Sequence, residues 1–205
     1  MRNKVSSAGN QQGSLRQLAD DPSETTRRAS FLKAYLLGTL HDGTFSSNRR
    51  FRISQSGTDW LRILQRIFKK LGYNSWIYKE GKDRNVYVLE TLCKKLNFSF
   101  DPLNLTAKEK IAYIKGFFDA EGGMPHKLER FYIQLVQKDF KKIQTIKDLL
   151  NELGIGSGKI HNPSKKVDPD YWRIFIPSKD YKKFAEIINS FHPLKAKIFR
   201  ERMKI

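Results

Sequence analysis

From Phe31 onward the chain runs twice through the same succession of apolar patterns. Phe31 to Asp42 carries apolar residues at helical spacing and ends in Asp42-Gly43. An extended piece of alternating polarity follows, Arg49 to Gln55, and then a helical stretch from Thr58 to Leu71 that stops at Gly72. The second pass opens at Thr106-Ala107-Lys108-Glu109, a capping box in which the Thr oxygen accepts from the N–H three residues on while the Glu reaches back. Its helix runs to Glu121-Gly122-Gly123, an alternating strand covers Arg130 to Gln137, and a helix from Asp139 to Leu153 stops at Gly154. After each glycine the pattern predicts a hairpin. One covers Tyr73 to Glu90 and turns at Glu80-Gly81-Lys82-Asp83, and the other covers Ile155 to Ile176 and turns at Asn162-Pro163-Ser164. Each half is then expected to close in helical sequence.

The order of elements, the acid-glycine helix ends and the 17-residue separation from Gln55 to Gly72 and from Gln137 to Gly154 all repeat, which points to an internal duplication. The division that follows is a flexible polar arm over 1–28, a first half with its linker over 29–104 and a second half over 105–205. The arm has almost no periodic apolar face.

Charge then narrows the class of partner. Lys and Arg number 39 against 21 Asp and Glu, a formal net charge of +18, and a positive field of that size suits a polyanion. No apolar run reaches the roughly 18 to 20 residues of a membrane span, so a soluble protein is expected, intracellular and either cytoplasmic or organellar. The single cysteine, Cys93, reads as core filler, and four scattered histidines do not resemble a zinc cluster. Trp60, Trp76, Trp172, Tyr113 and Phe117 recur beside Leu and Ile and read as core.

The chemistry lies at the two acid-glycine ends. Ala34 with Gly38, and Ala112 with Gly116 and Ala120, put a small-residue stripe on each helix that lets two backbones pack closely. Related by a pseudo-two-fold axis, such helices bring Asp42 and Glu121 to one end. Paired carboxylates repel unless a cation neutralises them, so the pair suits a divalent metal. An acid at a helix C-terminus also opposes the helix dipole.

The segments Ala34 to Gly43 and Ala112 to Gly122, about 80 residues apart, resemble the two motifs of single-chain LAGLIDADG homing endonucleases. The second matches closely, as Ile114-Lys115-Gly116-Phe117-Phe118-Asp119-Ala120-Glu121-Gly122. The first has one residue fewer between Gly38 and Asp42 than lies between Gly116 and Glu121. Either the packing glycine is displaced along the first helix or that helix end is shaped differently.

Over roughly residues 30 to 203 the resemblance implies an α+β fold. It is a pseudo-two-fold pair of αββαββα halves whose saddle-shaped antiparallel sheets lie over the major groove. It also implies a monomeric, intron-encoded type of enzyme that makes Mg²⁺-dependent double-strand breaks in a long double-stranded DNA target, leaving 3′ overhangs, with Ca²⁺ or Mn²⁺ able to occupy the same sites. Asp42 and Glu121 would hold metal, Gln55 and Gln137 would flank it, and a basic residue would order solvent. Lys197 is the first candidate for that residue, Lys195 the second, and Lys94 or Lys95 stands for the first half. An RNA-splicing maturase or a non-cleaving nucleic-acid-binding protein on the same fold is the alternative.

Strand alternation turns Phe51 and Ile53 inward and Arg50, Arg52 and Ser54 outward; in the second half Phe131, Ile133 and Leu135 face in and Arg130, Tyr132 and Gln134 face out. The hairpins add Lys79, Lys82, Arg84, Asn85 and Tyr87, then Lys159, His161, Lys165, Lys166, Tyr171 and Arg173. Long hydrogen-bonding side chains on a two-stranded ribbon fit the major groove, with Arg, Gln and Asn reading bases and Lys positioning phosphates.

Overall fold

The computed structural model describes residues 22–40, 43–45, 50–93, 96, 101–125 and 130–204. Its first half contains α1 (Pro22–Thr39), β1 (Thr44–Phe45), β2 (Phe51–Gln55), α2 (Asp59–Lys70), β3 (Ser75–Lys79) and β4 (Tyr87–Thr91). The second contains α3 (Ala107–Glu121), β5 (Gly122–Gly123), β6 (Ile133–Gln137), α4 (Phe140–Glu152), β7 (Trp172–Ile176), α5 (Tyr181–Ile187) and α6 (Pro193–Met203). The strands form two antiparallel sheets, ordered β1-β2-β4-β3 and β5-β6-β7.

Local chemistry accounts for the element ends. Thr106 accepts from the Glu109 amide while the Glu109 carboxylate takes the Thr106 amide at 3.0 Å, completing the capping box of α3. Asp139 caps α4 through the amides of Lys141 and Lys142. Gly72 and Gly154 follow α2 and α4 at φ +81° and +67°, left-handed conformations that a residue without Cβ adopts at little cost.

α1 and α3 pack along one another and join the halves into a single apolar core. The two glycines make the seam reciprocal. A Cβ on Gly38 would lie 2.1 Å from the Tyr113 carbonyl oxygen, and one on Gly116 would lie 2.1 Å from the Tyr35 carbonyl oxygen. The packing glycine of the first helix is therefore not displaced; the difference between the motifs lies at the helix end. Helix α1 stops at Thr39, and the Gly43 amide turns back to the Leu40 carbonyl, whereas α3 continues to Glu121.

Two expectations about element layout are corrected, and a third lies mostly outside the described residues. Helix α1 begins at Pro22, so residues 22–28 are helical rather than part of an arm, and residues 1–21 lie outside the described residues. The helical close expected of the first half falls mainly on 94–95 and 97–100, which lie outside the described residues; those described between β4 and α3 include a short 3₁₀ turn, Pro102–Asn104. In the second hairpin the arm that follows Gly154 meets β7 through Gly158 to Phe175 at 2.8 Å and through a single His161–Arg173 bridge, without forming a regular strand. No described helix is long and apolar enough to cross a membrane.

Candidate active site and nucleic-acid interface

Glu121 is the last residue of α3 and is half-buried. The next residue, Gly122, pairs with Leu135, so continuing the register puts Glu121 level with Val136, one residue from Gln137. Gln137 ends β6 and is buried; its side-chain oxygen accepts from the Lys138 amide at 2.7 Å, which joins the end of the strand to the start of α4. Gln55 ends β2 in the first half. Asp42, Lys94 and Lys95 lie outside the described residues.

The lysine beside this end is Lys195. Its Nζ donates to the carbonyl oxygens of Phe118 and Asp119, the latter at 2.9 Å, and sits 4.9 Å over the Phe118 ring. A cation on the last carbonyls of a helix is favoured by the dipole. Lys197, two residues on, turns to the other side of α6, is 64% exposed at its side chain and pairs with Glu201 at 3.7 Å. Of the two candidates, Lys195 is the one placed at the end of α3.

Asp119, two residues before Glu121 on α3, anchors this end of the helix. It is 2% exposed and accepts from Tyr35 Oη at 2.7 Å, Ser190 Oγ, and the amides of Phe191 at 2.9 Å and His192 at 3.2 Å. Trp60 Nε1 donates to Tyr35 Oη at 2.9 Å. This carboxylate therefore ties α1, α2 and α3 to the turn that launches α6 and hence to Lys195. Burial pushes its pKa up, opposed by the Ser190 and Tyr35 hydrogen bonds and by Lys195. Its position, seven residues after Ala112 on the packed stripe, was the available signal. Burial also drives His192, which rests 5.5 Å from Trp60, down to about 4, with Lys195 acting in the same direction.

The two outward sheet faces differ in chemistry. On the first, the register opposes Arg52 to Glu90 and Trp76 to Glu90, so Arg50, Arg52, Ser54, Trp76, Tyr78 and Glu90 share a face. Trp76 is thus not core; its ring lies 5.5 Å beneath the Arg50 guanidinium. Tyr87 falls on the opposite, core-facing series with Leu89 and packs against the core. Lys79, its partner in the ladder, donates to the Lys82 carbonyl at 3.2 Å. Asn85 donates to the Ser56 carbonyl, and Lys82 and Arg84 are exposed.

On the second sheet Gln134 opposes Phe175, and Val136 opposes Arg173. His161 stacks on Phe175 at 5.7 Å, Tyr132 meets Phe175 edge-on at 5.9 Å, and the Arg173 guanidinium lies over Phe175 and Tyr171. Arg130, Lys159, Lys165 and Lys166 are exposed around it.

Residues 27–98 and 108–189 each match the LAGLIDADG-like domain. The chain belongs to that family. Among curated proteins the chain is similar to homing endonuclease I-ApeI of Aeropyrum pernix, 26% identical over 192 residues that cover 82% of this chain and 85% of that protein. Its fold is similar to I-DmoI in complex with DNA and Mn, with a TM-score of 0.60, 23% identity, and coverage of 78% of this chain and 97% of that one. The N-terminal LAGLIDADG domain of WhiA has the same fold at a TM-score of 0.64 and 16% identity, over 78% of this chain and 81% of that one. The α+β, pseudo-two-fold architecture expected of two LAGLIDADG-like halves is the one observed.

Proposed function

We propose that this chain is a monomeric, site-specific homing endonuclease that cuts both strands of a long double-stranded DNA target and leaves 3′ overhangs. The observation that carries this reading is the reciprocal glycine seam. It packs the two motif helices closely along one another, and each half adds an antiparallel sheet with a polar outward face. The name of the Aeropyrum pernix relative and the DNA complexes of I-DmoI support the same reading.

Glu121 and Asp42 would hold divalent metal, with Mg²⁺ as the working ion and Ca²⁺ or Mn²⁺ as substitutes. Carboxylates and glutamine carbonyls are the hard oxygen donors such ions take, and structures of I-DmoI include Mn and Ca. Bound metal would supply an activated water and charge neutralisation at the scissile phosphate. The residues of Asp42's own neighbourhood favour its role. Thr44 pairs with Arg52 in the strand that ends at Gln55, as Gly122 pairs with Leu135 in the strand that ends at Gln137, so the segment after each motif helix meets the equivalent strand of its own half. Gln55 and Gln137 would orient water at the two sites. Lys195 rather than Lys197 is the basic residue proposed to stabilise charge on the phosphate, because it stands at the end of α3. The outward residues of both sheets, with the exposed lysines around them, would carry DNA readout and phosphate contacts.

The test is cleavage of a randomised duplex library with Mg²⁺ and with chelator. Metal-dependent recovery of one defined site with staggered ends is expected, and Glu121→Gln is expected to remove cutting while binding persists. Tight RNA binding without cutting would instead favour the maturase.

A further inference from the structure

The side of α2 turned away from the first sheet borders a groove that has no part in the proposed cleavage. Helix α2 buries Trp60, Leu61, Leu64 and Phe68 in the core beneath that sheet, which leaves Arg66 and Lys70 exposed on the far side. Between them and the start of α1 lies a groove of about 470 Å³. Its floor is apolar, with Phe31, Ile63, Ile67 and Phe191, and its rim is cationic, with Arg28, Arg66 and Lys70. A second hollow of about 440 Å³ shares Ile63 and Arg66 and carries the groove past Arg62 to Pro193. Arg62, Arg66 and Lys70 recur every four residues, and like charges at that spacing oppose a helix. Among the described residues neither these cations nor Arg28 belongs to an ion pair.

A buried cation lies beside the same floor. Lys115 is 9% exposed, and its Nζ sits 4.4 Å over the Phe191 ring and 5.7 Å over the Phe31 ring. Ring faces offset part of the cost of burying an ammonium, but its N–H groups still lack an oxygen acceptor. Asp119, one helical turn on, attracts it at a distance; that carboxylate is already taken by Tyr35, Ser190 and the amides of Phe191 and His192. Burial holds the Lys115 pKa below its usual value, with Asp119 opposing.

We propose that this groove docks an acidic amphipathic helix of a partner protein, its apolar stripe on Phe31, Ile63 and Ile67 and its carboxylates on Arg28, Arg66, Lys70 and Lys115. Several cations around one apolar floor suit an occupant with several negative charges and a hydrophobic stripe, and such a helix has both. Arg62 to Lys70 spans about 12 Å along α2, roughly two turns of the docked helix. A second copy of this chain, at +18, has the wrong charge. A nucleic-acid strand has the right charge but needs open ring faces for its bases. Here the Phe191 ring is engaged by Tyr35 at 4.9 Å and by Lys115, and Phe31 lies against Phe191 at 6.5 Å. The groove is separate from the outward sheet faces, so duplex and partner bind together.

The probe is a fluorescein-labelled synthetic helix of about 15 residues, with Leu at i, i+3, i+4 and i+7 and Glu beside that stripe, titrated with the full chain by anisotropy. It is expected to bind more tightly than the same peptide with Ser in place of Leu. Arg66→Glu with Lys70→Glu should weaken it by about ten-fold or more, whereas Lys165→Glu with Lys166→Glu, an equal change of charge on the second half, should change it by less than about two-fold. Lys115→Met separates a ligand role from a structural one. Affinity is expected to fall about five-fold while the urea midpoint holds or rises, because an apolar chain of similar length replaces a buried cation. Saturation with random-sequence duplex in EDTA should leave the peptide bound. Equal binding of the Ser peptide, equal weakening by the two charge-reversal pairs, or displacement by duplex would each overturn the inference. So would a Lys115→Met protein that loses stability and keeps its affinity. A single-stranded oligonucleotide that binds the duplex-saturated chain and is lost with Arg66→Glu and Lys70→Glu would give the groove to nucleic acid instead. None of these outcomes bears on duplex cutting, so this inference and the endonuclease reading fail separately.

Discussion

Arg52 on the first sheet and Arg173 on the second are both outward-facing guanidiniums, and the protein holds them in opposite ways. Arg52 is gripped by its hydrogen-bonding edge, through Glu80, Glu90 and Tyr78. Arg173 is held mainly by its flat face, 5.2 Å over Tyr171 and 5.6 Å over Phe175, and among the described residues its side chain donates to Tyr171 Oη alone, at 3.3 Å. Ring contacts occupy the face of a guanidinium and leave N–H groups for another acceptor. A duplication that kept the seam has thus produced one sheet built on charge pairs and another built on aromatic packing. The halves pack equivalently at the seam and differ on their outward sheet faces.

The seam should break symmetrically. Gly38→Val and Gly116→Val each drive a side chain into a backbone carbonyl of the other helix, and both are expected to destabilise the fold by about 3 kcal/mol or more in urea denaturation. A large loss at one glycine only would contradict the reciprocal packing. The sheets, by contrast, should respond unequally. Arg173→Ala is expected to weaken binding to the recovered target by about 2 kcal/mol, the scale of a lost bidentate base contact, whereas Arg52→Ala loses less because Glu80 already occupies part of its edge. Affinity measurements on the two variants check this order.

Salt separates the two kinds of cohesion. Glu90→Gln removes the charge that both first-sheet arginines share and should cost about 1.5 kcal/mol of stability at low salt and less at high salt. Phe175→Ala should cost a similar or smaller amount with no salt dependence, as loss of ring packing does. Denaturation at two ionic strengths measures both.

Acid probes the joint between the halves. His192 titrates near 4 in the fold against about 6.5 when unfolded, so the unfolded chain binds the extra proton first. Stability from this group is complete above about 6.5 and is lost as pH falls toward about 4. A loss of about 1 kcal/mol by about pH 5.5 is expected, and His192→Phe, which keeps an aromatic ring beside Trp60, should flatten the decline.

The chain made some of this legible and withheld the rest for identifiable reasons. Helix stops at Gly72 and Gly154, the capping box at Thr106 and the inward series Phe51, Ile53, Ile133 and Leu135 are local patterns, and each appears where periodicity puts it. Trp76 and Tyr87 went to the wrong face because side-chain direction depends on strand register, and the β3–β4 ladder is fixed by pairing rather than by composition. Which of Lys195 and Lys197 stands at the end of α3 depends on how α6 rolls against α3. Asp119 carried a signal in its position on the packed stripe, but its partners come from α1, from Ser190 and from the turn before α6, up to 84 residues away. Glu80 and Glu90 are legible along the chain only as hairpin residues, because strand pairing is what brings them against Arg50 and Arg52.

The most direct test of the central claim is double-strand cleavage of the recovered target by Asp42→Asn and by Glu121→Gln, with binding measured on the same duplex. One acid from each half acting at a shared centre predicts that each substitution reduces cutting by at least about a hundred-fold, the scale expected when stabilisation of a phosphoryl transition state is lost, while affinity stays within a few-fold of wild type. Undiminished double-strand cutting by either variant would contradict the claim.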